Sequence, residues 1–484
     1  MKVDKLPPIK STLQPSNHPY LNGAWTPLME EVDATDLEVI EGAIPDDIDG
    51  IYLRNTENQI HQPLGRHHPF DGDGMIHQIS FQNGKANYRN RFVKTRCFDA
   101  EQSAEQSLWG GLMDGPGTSL RPGFGAHGSL KDSSSTDIVV HAGKAISTFY
   151  QCGEGYVLNP ETLDPEGLAP WVPIDGISAH PRVDENTGEM MFFNYSKFAP
   201  YMHYGVVDKD HKLVHYVPIE LPGPRLPHDM TFSENWSILN DLPVFWDEEL
   251  LKRDIHAVRF HKDMPSRFAL IPRHGDPSEI RWFEATPTYV LHWLNAYEEG
   301  DEVIMDGYFQ EDPSPPPIAE AGEHGHLMAY LDEHSFKSRL HRWRFNLKDG
   351  TTTEERLDDR IVEFGMINQQ YSGRKYRYVY STVAKPGWFL FCGFIKHDLE
   401  TGESQQIMLD EGRYASESPF APRINAQSED DGYLVSFIID ENAGTSECIL
   451  IDAKKFDAGP VCRIKLPHKI SSGTHSTWVS RDKL

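Results

Sequence analysis

The chain has 484 residues, of which 46 are basic and 73 acidic, so its formal net charge is −27 at pH 7. This acidity argues against a nucleic-acid backbone, or an anionic lipid surface recognised by charge, as the partner. A hydrophobic content of 38% is enough for a large buried core, and no run of 18 apolar residues predicts a membrane-spanning helix.

The five cysteines, at positions 97, 152, 392, 448 and 462, are odd in number and form no CxxC pair. The simplest interpretation is a reduced, cytoplasmic protein. Residues 1–25 contain prolines and polar residues but no apolar segment of the kind that a signal peptide needs. We therefore expect a cytoplasmic protein without an obligate protein partner, and we leave open its contact with a membrane surface through a small apolar patch.

Short apolar or alternating runs recur along the chain, bounded by Gly, Pro, Asn or Asp, and such runs are typical of strands. They cover residues 50–54, 75–81, 137–140, 189–195, 236–239, 289–294, 377–382, 433–439 and 448–451. Helical periodicity is scarce, and the best helix candidate is Trp246–Arg253. The chain is therefore predicted to be all-β.

The segments between these runs have the composition of hairpin turns. Residues 184–188 and 398–402 both have the form Asp-x-x-Thr-Gly, in which Asp bonds within its own turn and Gly accepts a left-handed backbone. This recurrence predicts a radially repeated β-meander, a β-propeller. A seven-fold division gives blades of roughly 65 to 70 residues, long for such units. No linker divides the chain, so we expect a single domain over residues 1–484.

Four of the 23 histidines stand alone in or beside apolar, strand-like segments. They are His180 in Ile-Ser-Ala-His-Pro, His228 in Leu-Pro-His-Asp-Met, His292 in Val-Leu-His-Trp-Leu and His475 in Gly-Thr-His-Ser-Thr-Trp. The separations are 48, 64 and 183 residues, which fit one, one and about three blades, so these imidazoles could meet on the propeller axis. Taken singly, each is more simply a core histidine bonded to a carbonyl. Imidazole also suits Fe, Cu, Zn and Ni alike.

Three further motifs accompany the histidines: Phe-Asp-Gly-Asp-Gly-Met at 70–75, Asn-Ala-Tyr-Glu at 295–298 and Pro-Phe-Ala-Pro-Arg at 419–423. Together with the histidine contexts they make the chain resemble the carotenoid cleavage oxygenases, a family that includes apocarotenoid, retinoid-related and lignostilbene oxygenases. The resemblance covers nearly the whole chain. It implies a seven-bladed β-propeller with a loop and helix cap, drawn from residues of roughly 108–131, 241–262 and 311–330. It also implies Fe(2+) on the axis, held by the four histidines.

The resemblance extends to the residues around the metal. Glu363 and Glu417 match two of the three glutamates that accept the second ring N–H of ligand histidines in this family. The third position is Gln151, which carries no charge, and Glu154 is the alternative three residues later. Thr136 matches a threonine whose methyl group crowds one open iron position.

The implied reaction is the O2-dependent cleavage of a conjugated C=C bond into two carbonyl products, without a protein general base. Phe70, Tyr150 and Leu291 match positions that line the substrate tunnel in relatives. Members that cleave phenolic stilbenes grip the 4-hydroxyl with a Tyr/Lys pair, and those two positions are Leu112 and Tyr150 here. The loss of both polar groups favours an apolar polyene, a carotenoid or apocarotenoid. A stilbene or phenylpropene is the alternative.

Two other classes stay open at this point. A non-catalytic β-propeller binding scaffold would not require the four histidines to converge. A zinc hydrolase would require a water-activating carboxylate beside the metal, which the histidine contexts do not supply.

Overall fold

The computed structural model describes residues 1–114, 116–123, 130–253 and 257–484. The chain divides into two compact units, the first made of Met1–Ala179 with Gln405–Leu484 and the second of His180–Ser404. In this described part of the chain, no helix is both long and apolar enough to cross a membrane.

Antiparallel sheets make up the described part of the first unit. In the order in which neighbouring strands pair, they are Lys2–Lys5, Val32–Thr35, Lys85–Phe92, Asp73–Gln82, Gly50–Asn58 and Ser476–Ser480; then Pro165–Leu168, Tyr156–Leu158, Lys144–Thr148 and Asp137–His141; then Arg413–Tyr414, Gly432–Asp440, Thr445–Asp452, Pro460–Lys465 and Val39–Gly42. Strand Phe420–Pro422 also pairs with Gly432–Asp440.

The second unit is built in the same way, from consecutive antiparallel meanders. Its sheets are Arg182–Val183, Met190–Tyr195, Tyr201–Val207 and Leu213–Glu220; Thr231–Phe232, Trp236–Asp241, Ser266–Pro272 and Arg281–Ala285; Trp293–Glu299, Glu302–Gln310, Ser338–Asn346 and Thr352–Arg356; and Val362–Met366, Tyr378–Ala384, Phe391–Asp398 and Ser404–Met408. Strands Val244–Trp246 and Val258–Phe260 form a separate pair.

The described residues thus contain seven sheets of at least four strands, and the predicted all-β, seven-bladed β-propeller is confirmed. Of the nine predicted strand runs, only 289–294 is largely wrong, because its strand begins at Trp293. The single domain with three cap loops stays a prediction. Of those loops, residues 115, 124–129 and 254–256 lie outside the described residues.

Among the described residues, the helices are few and short. The α-helices are Arg96–Ala104, Glu248–Leu251, Gly325–Ala329 and Glu333–Phe336. The 3-10 helices are Pro19–Leu21, Gly23–Trp25, Pro69–Asp71, Pro116–Thr118, Pro277–Glu279, Ala319–His324, Gln369–Tyr371, Ala453–Ala458 and Arg481–Lys483. The helix predicted over Trp246–Arg253 is only one turn long, because Trp246 ends a strand that pairs with Val258.

The predicted turn chemistry is present at both Asp-x-x-Thr-Gly segments. In the second of them, Oδ1 of Asp398 accepts hydrogen bonds from the N–H groups of Glu400 and Thr401, at 3.1 and 3.4 Å. Gly402 then has φ +73°, the left-handed region that favours glycine. Arg377 donates two bonds to the same carboxylate, from Nε at 2.8 Å and Nη2 at 2.6 Å.

The segment near residue 475 is held in place by strand pairing. Strand Ser476–Ser480 pairs with Gly50–Asn58 in a register that sets Ser476 opposite Arg54. Just before it, the backbone N–H of Asn55 donates to the carbonyl of His475 at 2.9 Å. Because strand Gly50–Asn58 is buried along its whole length, this pairing fixes a polar segment that would otherwise fray.

We predict a pH-dependent stability contribution from the Asp398 turn. The hydrogen bond from Arg377 lowers the pKa of Asp398 to about 2. This contribution is therefore present above the ordinary pKa of about 4 and is lost as the pH falls from there toward 2. In urea unfolding followed by circular dichroism, Asp398→Asn should be less stable than the native chain at pH 6, by up to about 1 kcal/mol because the pair is partly exposed. The difference should shrink below pH 4, and a difference that stays constant down to pH 2.5 would contradict this.

Candidate metal centre

Four histidines converge. Each of His180, His228, His292 and His475 offers one ring nitrogen, and these four atoms lie within 4.8 Å of one another. Three of the four are buried, and His228 is half-buried. The structure therefore brings together all four residues that the sequence singled out.

Three of these imidazoles come from the second unit. Nε2 of His180 lies 3.2 Å from Nε2 of His228. The ring of His292 has its centroid 5.3 Å from that of His180 and 5.2 Å from that of His228. His180 has φ +61°, an uncommon left-handed conformation for a residue other than glycine. Such backbone strain persists where the surrounding structure imposes it, and it is often found at functional sites.

An ion pair that the sequence did not reveal connects the three segments. Asp229 accepts hydrogen bonds from the N–H of Trp293 at 2.8 Å and from Nε of Arg182 at 3.2 Å, with a further bond from Nη2 of Arg182. The same Nη2 donates to the carbonyl of Trp293 at 2.9 Å. Each partner lies one or two residues after a histidine, so this network aligns all three imidazoles.

Two of the predicted glutamates lie beside histidines of the cluster. Nδ1 of His292 lies 2.6 Å from Oε2 of Glu363, and Nδ1 of His475 lies 3.1 Å from Oε1 of Glu417. A carboxylate acceptor requires the ring proton on Nδ1, which leaves the Nε2 lone pair for a metal. The N–H of Ser476 also donates to Glu417, at 2.6 Å, so this carboxylate is fixed by the backbone.

The third predicted position differs in chemistry. The Gln151 side chain forms a hydrogen bond with Tyr150, whose pKa burial raises well above its usual range. Glu154 is engaged elsewhere, because its carboxylate accepts from Nε of Arg96 at 2.9 Å and from the Tyr156 hydroxyl at 2.6 Å. Gln151 and Glu154 are the two candidates for the third position behind the histidines. Of these, Gln151 has its side chain beside Tyr150.

Thr136 is tied to the backbone next to His475. Its carbonyl accepts from the Thr474 hydroxyl at 2.8 Å, and its own Oγ1 accepts from the N–H of Tyr150 at 3.2 Å. Thr136 is itself buried. One residue thus links the strand start at Asp137, the segment of Tyr150 and the segment that carries His475.

The residues predicted to line a substrate tunnel fall into different surroundings. Phe70 and Leu112 line one cavity of about 30 Å³. Tyr150 has its ring centroid 5.3 Å from that of Phe149, which also lines this cavity. Leu291 instead packs, half-buried, against a core cluster of the second unit.

A group of three phenylalanine rings beside His292 was not predicted from the sequence. The ring of Phe364 lies 4.6 Å from that of His292 and 4.9 Å from that of Phe391, while Phe389 lies 5.6 Å from Phe364. All three phenylalanines are buried. The sequence signal was the direct succession of Phe364 after Glu363, together with the alternation of Phe389 and Phe391.

The fold is shared with oxygenases of known structure. The lignostilbene dioxygenase of Pseudomonas brassicacearum superposes with a TM-score of 0.84 over 97% of this chain and 100% of its own, at 24% identity, which supports the fold. A cobalt-substituted apocarotenoid oxygenase of Synechocystis superposes with a TM-score of 0.82 over 94% of this chain and 98% of its own, at 25% identity. Because its sequence relatives include carotenoid cleavage dioxygenases and an isoeugenol monooxygenase, the chain is an enzyme of the alkene-cleaving oxygenase type.

The sequence comparisons name the family. The chain belongs to the family described as RPE65, retinal pigment epithelial membrane protein, whose sequence model matches residues 25–480. The carotenoid 9,10(9',10')-cleavage dioxygenase 1 of Pisum sativum is 33% identical over 96% of this chain and 91% of its own length. The isoeugenol monooxygenase of Pseudomonas nitroreducens is 30% identical over 96% of this chain and 98% of its own.

We predict that Glu363 tightens metal binding through His292. Replacing the carboxylate in Glu363→Gln weakens the bond that fixes the ring tautomer, so metal affinity should fall about 10- to 100-fold. Competition with a chelator measures this. Glu355→Gln, on an exposed side chain, is the matched control. Equal affinities in the two variants would contradict the assignment.

A second prediction concerns Asp229. Asp229→Asn should lower both the free energy of unfolding, by about 2 kcal/mol, and the metal affinity, because it weakens the network that aligns three histidines. Asp241→Asn is the matched control, since Asp241 is also buried and paired with an arginine, Arg225. The control should lose stability in urea unfolding and keep its metal affinity. Loss of affinity in both variants would show that Asp229 acts only through general stability.

Proposed function

We propose that the protein is a non-haem Fe(II) dioxygenase that cleaves a conjugated C=C bond with O2. The observation that carries the proposal is the convergence of His180, His228, His292 and His475, with the Nδ1 atoms of two of them beside carboxylates.

The donor set fits a divalent transition metal. Two nitrogens bound about 2.1 Å from one ion at right angles lie about 3 Å apart, and the separation of Nε2 of His180 from Nε2 of His228 is 3.2 Å. Four neutral imidazoles leave the full charge of the ion in place, while the carboxylates of Glu363 and Glu417 set the direction of two rings. Imidazole alone does not select iron, and the family to which the chain belongs favours it.

Iron(II) held by the four histidines would supply the activation of O2. The overall reaction adds one oxygen atom to each carbon of the double bond and gives two carbonyl products. The chain's own contribution is to position the substrate and to exclude water from the site. Phe364, Phe389 and Phe391 form a buried aromatic wall beside His292 against which a conjugated chain can pack. No external reductant is needed, because both oxygen atoms enter the products.

A carotenoid or apocarotenoid is the substrate class that we favour. The 33% identity to plant carotenoid cleavage dioxygenases supports it, as does the lack of a phenol-binding Tyr/Lys pair at Leu112 and Tyr150. The isoeugenol monooxygenase, at 30% identity, supports a phenylpropene or stilbene as the second candidate. We also propose a cytoplasmic location, which is supported by five cysteines that form no disulfide bond.

We predict about one iron per purified chain and O2-dependent cleavage. His292→Ala should lose both the iron and the cleavage activity, because it removes one of the four imidazoles, the one that is bonded to Glu363. His326→Ala, on an exposed histidine outside the cluster, is the control and should keep both. Metal analysis and product analysis with a panel of apocarotenals and 4-hydroxystilbenes measure the two quantities.

The same experiment separates the competing classes. Full iron content and activity in His292→Ala would contradict the proposal. Zinc in place of iron, without O2-dependent cleavage, would favour a hydrolase. Equal or better turnover of the stilbenes would replace the preferred substrate class with the second candidate.

A further inference from the structure

The strand Val362–Met366 contains a β-bulge. Glu363 lies opposite Thr382 of the neighbouring strand, while Met366 lies opposite Tyr380. Three steps along one strand therefore match two steps along the other, so the bulged strand carries one extra residue. A bulge of this kind redirects the side chains that follow it and is frequent next to active sites.

The unusual residue of the bulge is Phe364. Its φ of +50° lies in the left-handed region, which bulky residues rarely adopt. On one side, the Thr382 hydroxyl donates to the carbonyl of Glu363 at 2.7 Å. On the other side, Gly365 passes so close to Tyr308 that an added Cβ would lie 1.8 Å from the tyrosine hydroxyl oxygen. The residues around the bulge thus impose this backbone, as is typical of strained positions that serve a function.

The bulge brings two consecutive side chains to one imidazole. In a regular strand, Glu363 and Phe364 would point to opposite faces of the sheet. Here Oε2 of Glu363 lies 2.6 Å from Nδ1 of His292, and the ring centroid of Phe364 lies 4.6 Å from that of His292. The same Oε2 accepts a hydrogen bond from the backbone N–H of Phe364. Glu363 and Phe364 therefore act on His292 as one unit.

Two further rings hold Phe364 in place. Its ring centroid lies 4.9 Å from that of Phe391 and 5.6 Å from that of Phe389, and these two lie 5.7 Å apart. All three phenylalanines are buried. Because side chains packed in a dense core have little freedom to move, the Phe364 ring is a fixed surface against which His292 packs.

The same packing protects the hydrogen bond between Glu363 and His292. Glu363 is fully buried, and the ring of Phe364 lies against the imidazole. A hydrogen bond to a carboxylate is stronger in such surroundings than in water. Water at this place would compete for Oε2 of Glu363, and the direction of the imidazole would be less well fixed.

We propose that Phe364 is a positioning residue of the metal centre, which holds the ring of His292 and keeps water from its hydrogen bond with Glu363. The inference rests on the metal centre of the proposed function and adds to it a residue that contacts no metal. The bulge is the device that allows the carboxylate and the ring to reach the same imidazole.

Binding of Co(II) to the full chain tests this inference, in competition with a chelator. Binding is measured in place of turnover because Phe364 also belongs to the proposed aromatic wall. Phe364→Leu should lower the Co(II) affinity about 3-fold and Phe364→Gly about 10-fold, because leucine keeps part of the cover and glycine keeps none. The visible absorption bands of bound Co(II), which report the geometry of its ligands, should change in both variants.

Two comparisons separate the ring from general stability. Glycine readily accepts the left-handed backbone, so Phe364→Gly keeps the bulge and removes only the ring. Phe345→Leu is the matched control for Phe364→Leu, since Phe345 is also buried and its ring lies 5.2 Å from those of Phe268 and Phe283. The control should lose similar stability in a thermal melt and keep the Co(II) affinity and spectrum. Phe364→Leu carries the test if the glycine variant does not fold.

Unchanged Co(II) affinity and spectrum in the folded Phe364 variants would overturn the inference, as would an equal loss of affinity in Phe345→Leu. Failure of the unmodified chain to bind Co(II) would also overturn it, because His292 would then not be a ligand. A different result bears on the proposed function: Co(II) binding that depends on Phe364, with no O2-dependent cleavage by the iron-loaded chain, would contradict that function and support this inference.

Discussion

The carboxylate of Asp229 connects the three segments that carry His180, His228 and His292. Arg182 binds it from one side and the backbone N–H of Trp293 from another. Burial raises the pKa of Asp229 to about 6, although Arg182 opposes this shift. Keeping the Asp229 carboxylate ionised inside the protein therefore costs free energy. Preorganisation of this kind means that the imidazoles are positioned by the protein before any ion binds, which favours tight and geometrically selective binding.

Much of the candidate site could be predicted because its signals are local. Each histidine lies in an apolar context that is visible within a few residues, and each Asp-x-x-Thr-Gly turn contains its own hydrogen bonds. The Arg182–Asp229 pair could not be found in this way, since its partners are 47 residues apart and follow no periodicity. The strand start at Trp293 was missed for a related reason: an apolar run does not reveal where its ladder of backbone hydrogen bonds begins.

The surroundings of Gln151 illustrate what a sequence position alone leaves open. Glu154, three residues away, offers the charge that Gln151 lacks, and the two are hard to rank from the sequence. Arg96 and Tyr156 both bind the Glu154 carboxylate, so the role of Gln151 remains a prediction that these contacts favour. Among the described residues, Glu363 and Glu417 are the predicted carboxylates that lie beside imidazoles of the cluster.

The pairing of Ser476–Ser480 with Gly50–Asn58 has a consequence for biosynthesis. More than 400 residues separate the two strands, so Gly50–Asn58 keeps one edge unpaired until Ser476–Ser480 has been synthesised. His475 reaches its place only when this last pairing forms. A chain that lacked Ser476–Ser480 would leave this edge of Gly50–Asn58 open, and chaperones and proteases can recognise an open strand edge.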